Sequence, residues 1–196
     1  MRETMTSTEA NTGANTGQVL AKTLVLVGMP GSGKTAIGRA LSARLGVEMK
    51  DSDAEIVESA QLSIAEIFDR FGEPFFRDRE AKVIERLLDS PPCVLSTGGG
   101  AWLTPENRDM ISARAAVLWL EADLELLWSR VRHKNTRPLL RSANPKQTLS
   151  DLLAARTPSY ELAPMRVHVQ SAWSIDQTTD AVAAELAQAG VIKEAK

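Results

Sequence analysis

The stretch that most constrains this chain is Gly28-Met29-Pro30-Gly31-Ser32-Gly33-Lys34-Thr35, which reads G-x-x-x-x-G-K-T. It follows the apolar run Leu24-Val25-Leu26-Val27 and leads into Ile37-Gly38-Arg39-Ala40-Leu41. Buried strand, glycine-rich turn and helix start, in that order, describe a phosphate-binding loop. Its glycines let successive backbone N–H groups turn inward, and the helix N-terminus adds partial positive charge. Gly31, Ser32, Gly33, Lys34, Thr35 and Ala36 are therefore expected to cradle the phosphates of a nucleoside triphosphate. Lys34 would reach the β- and γ-phosphates, and the Thr35 hydroxyl would ligate Mg²⁺.

A chain committed to such a loop should continue as alternating strands and helices, and it does. Further strands are expected at Val47–Lys50, Cys93–Ser96, Ala116–Leu120 and Arg166–Val169, each separated from the next by a helical pattern. Ser63-Ile64-Ala65-Glu66 is a capping box opening a helix that should stop at Phe71-Gly72, and Pro74 can open the next one. The helix carrying Leu149, Leu152 and Leu153 is expected to end near Arg156-Thr157-Pro158. Alternation of this kind predicts a five-stranded parallel sheet between two helical layers, an α/β/α P-loop fold of the nucleoside monophosphate kinase type. The first of these strands should be central, with its loop where the winding direction switches.

The remaining composition narrows the function. Lys and Arg total 23 against 25 Asp and Glu, and aromatics are only 5%, so neither phosphate-backbone attraction nor base stacking suggests nucleic acid or an anionic membrane as partner. No apolar run approaches the ~20 residues of a membrane span. Cys93 is the one cysteine, reads as buried filler, and fits a reducing, cytoplasmic setting. Residues 1–20 are rich in Thr, Asn, Ala and Gly with no apolar segment, which predicts a disordered tail ahead of a single domain over 21–196.

Four further segments carry polar chemistry. Asp51-Ser52-Asp53 falls where a strand's carboxyl end should lie, and the two carboxylates are expected to do different work, although Asp53 could instead cap the following helix. Arg77 and Glu80 are three apart and can pair on one helical face, which taken alone is an exposed ion pair of little value. Thr97-Gly98-Gly99-Gly100 ends a buried strand, and three glycines there imply close approach of a ligand. Arg130 to Gln147 is basic and rich in Asn and Pro, the composition of a lid over phosphates at about 132–147, or of a merely solvated loop. A base-reading N/T-K-x-D segment and an apolar strand ending in a Walker-B Asp are both missing, which favours a small-molecule kinase over a regulatory GTPase or a motor ATPase. A gluconate-type or nucleoside monophosphate kinase, and a non-catalytic sensor, are the rival readings.

Taken in series, Gly28–Thr35 with Ile37-Gly38-Arg39, Asp51-Ser52-Asp53, Gly72-Glu73 with Phe76-Arg77-x-x-Glu80, Thr97-Gly98-Gly99-Gly100, Arg137-Pro138-Leu139-Leu140 and Arg156-x-Pro158-x-Tyr160 resemble the shikimate kinases from about Lys22 to about Gly190. The resemblance implies ATP-dependent phosphorylation of the 3-hydroxyl of shikimate, a step of aromatic amino-acid biosynthesis, by a monomer. It implies that Asp53, Arg77, Gly98, Gly99, Gly100 and Arg156 meet shikimate, with Glu80 fixing Arg77 from behind. It further implies Lys34, Asp53 and Arg137 as catalytic residues, Arg130, Arg137 and Gln177 as ATP contacts, and Asp51 holding Mg²⁺ through water beside Thr35. The family usually has Ser where this chain has Thr35; the hydroxyl is retained.

Overall fold

The structure, a computed structural model, describes residues 17–133 and 142–194. In chain order the elements are β1 (Gln18–Leu20), β2 (Leu24–Val27), α1 (Lys34–Leu45), β3 (Met49–Asp51), α2 (Ser52–Ala60), α3 (Ile64–Leu88), β4 (Val94–Ser96), α4 (Pro105–Arg114), β5 (Ala116–Glu121), α5 (Leu124–Val131), α6 (Pro145–Tyr160), β6 (Met165–His168), α7 (Ile175–Gln188) and β7 (Ile192–Glu194).

All four residues of β2 are buried, without the alternation of a half-exposed strand, because helices cover both faces of the sheet. Five strands form that sheet in the order β3-β4-β2-β5-β6, every pair parallel. This is the expected α/β/α P-loop architecture with β2 at the centre. The chain winds from β2 to β3 on one side and later adds β5 and β6 on the other. The loop after β2 therefore sits at the switch point, where carboxyl ends of strands open a crevice.

A second, smaller core forms around Ile56, Ile67 and Phe76, roofed by Phe68 and Phe75. It joins α2 to α3 beside the sheet's carboxyl edge, and so fixes Asp53 and Arg77 relative to each other. Within α3, Gly72 has φ 78 and ψ 173, so two helices meet at a kink there, as the capping box and Pro74 led us to expect. That backbone geometry is one that only glycine adopts readily.

Several boundaries differ from expectation. Gln18–Leu20 is a strand, paired antiparallel with Ile192–Glu194, where a disordered tail was expected to run through residue 20. Leu20 and Ile192 are buried in this ribbon, which supplies the driving force that the polar composition hides. Residues 1–16 lie outside the described residues. The second strand of the sheet begins at Met49, not Val47. α6 starts at Pro145, so the end of the expected lid at 132–147 is already helical, and it continues through Pro158 to Tyr160. A proline this close to a helix end removes one backbone hydrogen bond; the Thr157 hydroxyl donates to the Leu153 carbonyl, and the Glu161 backbone N–H still reaches the Thr157 carbonyl.

Candidate active site

The phosphate loop crosses from β2 to α1 at the centre of the sheet's carboxyl edge. Gly31 has φ 91, and a Cβ there would press on Val131, so the loop requires glycine. The Ser32 hydroxyl is fully buried in the loop without a hydrogen-bond partner in the protein. Buried hydroxyls are rarely left so, and a phosphate oxygen is a fitting acceptor. Lys34 is buried as well, and its Nζ donates to the carbonyls of Gly28 at 2.8 Å and Met29 at 3.1 Å. The ammonium thus lies across the mouth of the loop, where phosphates would meet it.

Asp51 and Asp53 belong to different elements: Asp51 closes β3, and Asp53 stands in the first turn of α2. Asp51, rather than Asp53, is the helix cap, with Oδ1 accepting from the backbone N–H groups of Asp53 and Ala54. Its Oδ2 accepts from the Thr35 hydroxyl at 3.2 Å. That hydroxyl and carboxylate, side by side against the phosphate loop, are the hard oxygen donors that a Mg²⁺ held mainly by phosphates and water requires. Among the described residues no cluster of three or more His, Cys, Asp or Glu could hold a metal on protein ligands alone.

The glycine turn after β4 is where four charged side chains converge. A Cβ at Gly98 would fall 2.7 Å from Asp53 Oδ1 and 2.9 Å from Glu80 Oε1. One at Gly99 would fall 3.3 Å from an Arg156 nitrogen, and one at Gly100 would overlap the Arg77 guanidinium. Side chains here would thus expel the functional groups, which accounts for three glycines better than backbone freedom does. Arg156 is buried and donates to the Gly99 carbonyl at 3.4 Å. Arg77 donates to Glu80 at 2.7 Å, and Glu80 is wholly buried with its second oxygen unpaired. Burial pushes the Glu80 carboxyl above the ordinary range, against the opposing pull of Arg77. Arg77 and Glu80 are therefore a desolvated pair at the ligand site, and only the burial of Glu80 separates that from a surface pair.

A cleft of ≈530 Å³ runs from the phosphate loop to Asp53, Gly98 and Gly99. Arg130 forms part of its wall and donates to the carbonyls of Gly31 and Ser32. The opposite wall is Val169, Trp173, Ser174, Ile175 and Thr178. Gln177, expected as an ATP contact, is not part of that wall. Its side chain accepts from the Ser174 N–H at 2.9 Å, completing the capping box of α7. The S-x-x-Q spacing of that box was visible in the sequence, and it binds the glutamine to its own helix. Trp173 packs against the core and also lines the cleft. Arg137 lies outside the described residues.

Tyr160 was also missed as a functional element. It is completely buried, stacks on Trp119 with centroids 5.9 Å apart, and donates its hydroxyl to the Gly99 carbonyl at 2.6 Å. Burial pushes its phenol up to about 12, so it stays a neutral donor. Only its place after Arg156-x-Pro158 hinted at this. His168 faces Glu121 and Asp123 at the end of β6, and no cleft residue is among its partners.

Comparison with known proteins agrees with this geometry. The family model described as shikimate kinase matches residues 30–189. A shikimate kinase of Ruegeria pomeroyi is 59% identical over 168 residues, 86% of each chain. The structure of shikimate kinase from Acinetobacter baumannii in complex with shikimate superposes with a TM-score of 0.80 at 37% identity, covering 85% of this chain and 94% of that one. A gluconokinase from Sinorhizobium meliloti shares the fold at a TM-score of 0.56 and 17% identity, a likeness that concerns the fold alone. Matched over most of its length by the family model and sharing more than half its aligned residues with a curated member, the chain belongs to the shikimate kinase family.

Proposed function

We infer that this chain transfers the γ-phosphoryl group of ATP to the 3-hydroxyl of shikimate, giving shikimate 3-phosphate and ADP on the route to aromatic amino acids. The observation that carries the reading is the meeting, at one glycine turn, of a phosphate-loop cleft with Asp53 and the guanidinium groups of Arg77 and Arg156. Arg77 and Arg156 would grip the shikimate carboxylate by charge-assisted bonds, and the Gly98–Gly100 turn lets the ring approach closely. Asp53 would accept from the ring hydroxyls and orient the attacking oxygen. Phosphoryl transfer runs through a loose transition state, so orientation and charge neutralisation carry the catalysis more than base strength does.

Lys34 would neutralise the β- and γ-phosphates, and Arg137, from the basic segment expected as a lid over 132–147, would come to the transferred group. Thr35 directly, and Asp51 through water, would hold Mg²⁺, which when bound supplies charge neutralisation between the phosphates. Arg130 and the wall at Trp173 and Ile175 would clasp the adenine. The proposal treats the chain as one monomeric catalytic domain acting in the cytoplasm on small molecules only. The balanced charge supports that, and no helix among the described residues is long and apolar enough to cross a membrane.

An ADP-release assay across candidate acceptors tests the reading, with turnover expected only on shikimate. Arg77→Ala and Arg156→Ala should each raise the shikimate KM by an amount corresponding to ~2–5 kcal/mol, while Lys34→Ala and Arg137→Ala lose turnover. Preference for gluconate or a nucleoside monophosphate, or binding of shikimate and ATP without ADP release, would overturn it.

A further inference from the structure

Arg77 has three donor edges, and they are not equally available. Nη1 donates to Glu80, whose side chain is wholly buried. The end of the guanidinium that carries both Nη groups abuts the Gly100 backbone, since a Cβ there would overlap it. The remaining edge, Nε with Nη2, is held by Glu73: a single oxygen of that carboxylate accepts from Nε at 3.2 Å and from Nη2 at 3.0 Å. Glu73 itself is 62% exposed and follows the kink at Gly72.

We propose that Glu73 is a built-in competitor that stands in for the substrate's carboxylate on the open edge of Arg77, and that an incoming carboxylate takes its place. The inference rests on the reading of Arg77 as the clamp for shikimate. Arg77 is three-quarters buried, and a guanidinium partly withdrawn from water needs a partner for its free edge. Glu73 meets that need while the site is empty. Because it is exposed, its side chain can swing into solvent without a desolvation cost. A ligand bearing a carboxylate exchanges one ion pair for another. A neutral polyol of the same shape cannot, so it leaves Glu73 in place and gains nothing from Arg77. Glu73 therefore slightly weakens acids, since the substrate has to displace a tethered competitor, and leaves the binding of neutral analogues unchanged. Holding Arg77 in place is the work of buried Glu80, and so removing Glu73 should not let the clamp drift.

Calorimetric titration of the full chain separates these roles. Exposed ion pairs are weak, so Glu73→Gln and Glu73→Ala should each bind shikimate about two- to five-fold more tightly than the wild type. The analogue with a hydroxymethyl group in place of the carboxylate should bind all three proteins alike, and their Tm values should match within about 2 °C, as for loss of a surface pair. If both variants bind shikimate as the wild type does, or more weakly, Glu73 is not a competitor and the proposal fails. If the wild type binds and phosphorylates shikimate, that failure concerns Glu73 alone. A wild type that takes no shikimate overturns the Arg77 clamp itself.

Discussion

At the scale of single residues, burial decides which of the charged side chains matter. Arg77 forms two ion pairs along one helix, to Glu73 and to Glu80, of similar length and spacing. One carboxylate is exposed and the other is not, so the first is exchangeable and the second is fixed. Spacing showed that Arg77 and Glu80 could pair, but neither burial nor the orphaned Glu80 oxygen could be read from it. The raised pKa of Glu80 has a consequence for stability. Burial holds its carboxyl above the ordinary 4.5, so the folded protein binds a proton there more readily than the unfolded chain does. The stability this contributes is fully present below that ordinary value and is lost as pH rises through the folded value. The wild type should therefore gain stability relative to Glu80→Gln as pH is lowered from 7 towards 4.5. Paired thermal melts across that range check the sign, and a difference that is flat or shrinks on acidification would refute it.

At the scale of elements, the kink in α3 is what makes a site out of two helices. The run before Gly72 packs Ile67 and Phe68 against α2, which carries Asp53, and the run after it carries Phe76, Arg77 and Glu80. The angle between them is set at one residue, in a conformation closed to side chains. Gly72→Ala should cost ~1–3 kcal/mol of stability, the usual penalty for forcing a non-glycine residue into such backbone geometry. It should also raise the shikimate KM more than the ATP KM, because the phosphate loop lies on other elements. A urea midpoint like that of the wild type, or equal effects on the two KM values, would count against this. Both flanking signals, the capping box at Ser63 and the proline at Pro74, are local chemistry, which is why the break was legible. The persistence of α6 past Pro158 was not, because Tyr160, locked under Gly99, draws the last turn on.

At the scale of the whole molecule, the first and last described strands pair with each other, outside the sheet that carries the phosphate loop. β1 and β7 form a separate antiparallel ribbon, and Leu20 and Ile192 close the core beneath it. Leu20→Ala should destabilise by ~2–3 kcal/mol, within the usual range for truncating a buried leucine. Its kcat and both KM values should be unchanged, because no residue of the ribbon lines the cleft. Equilibrium urea unfolding with parallel kinetics tests this, and a loss of kcat without loss of stability would be the contrary result. Two three-residue strands so far apart in sequence pair only once the sheet has brought them together, so the polar composition of the first twenty residues gave no sign of them.

The sequence alone determined the sheet, the central strand, the phosphate loop and the family, because those depend on local chemistry: uninterrupted apolar runs, helix caps, and glycine spacing around Lys34 and Thr35. It also named nearly all the charged groups of the site. Tertiary structure decided what each of them does. It turned Asp51 into the helix cap beside Thr35, tied Gln177 to its own helix, brought Tyr160 and Arg156 onto the Gly99 carbonyl, and buried Glu80 while leaving Glu73 in water. Burial and partner choice are sums over residues distant in the chain, and no local pattern contains them.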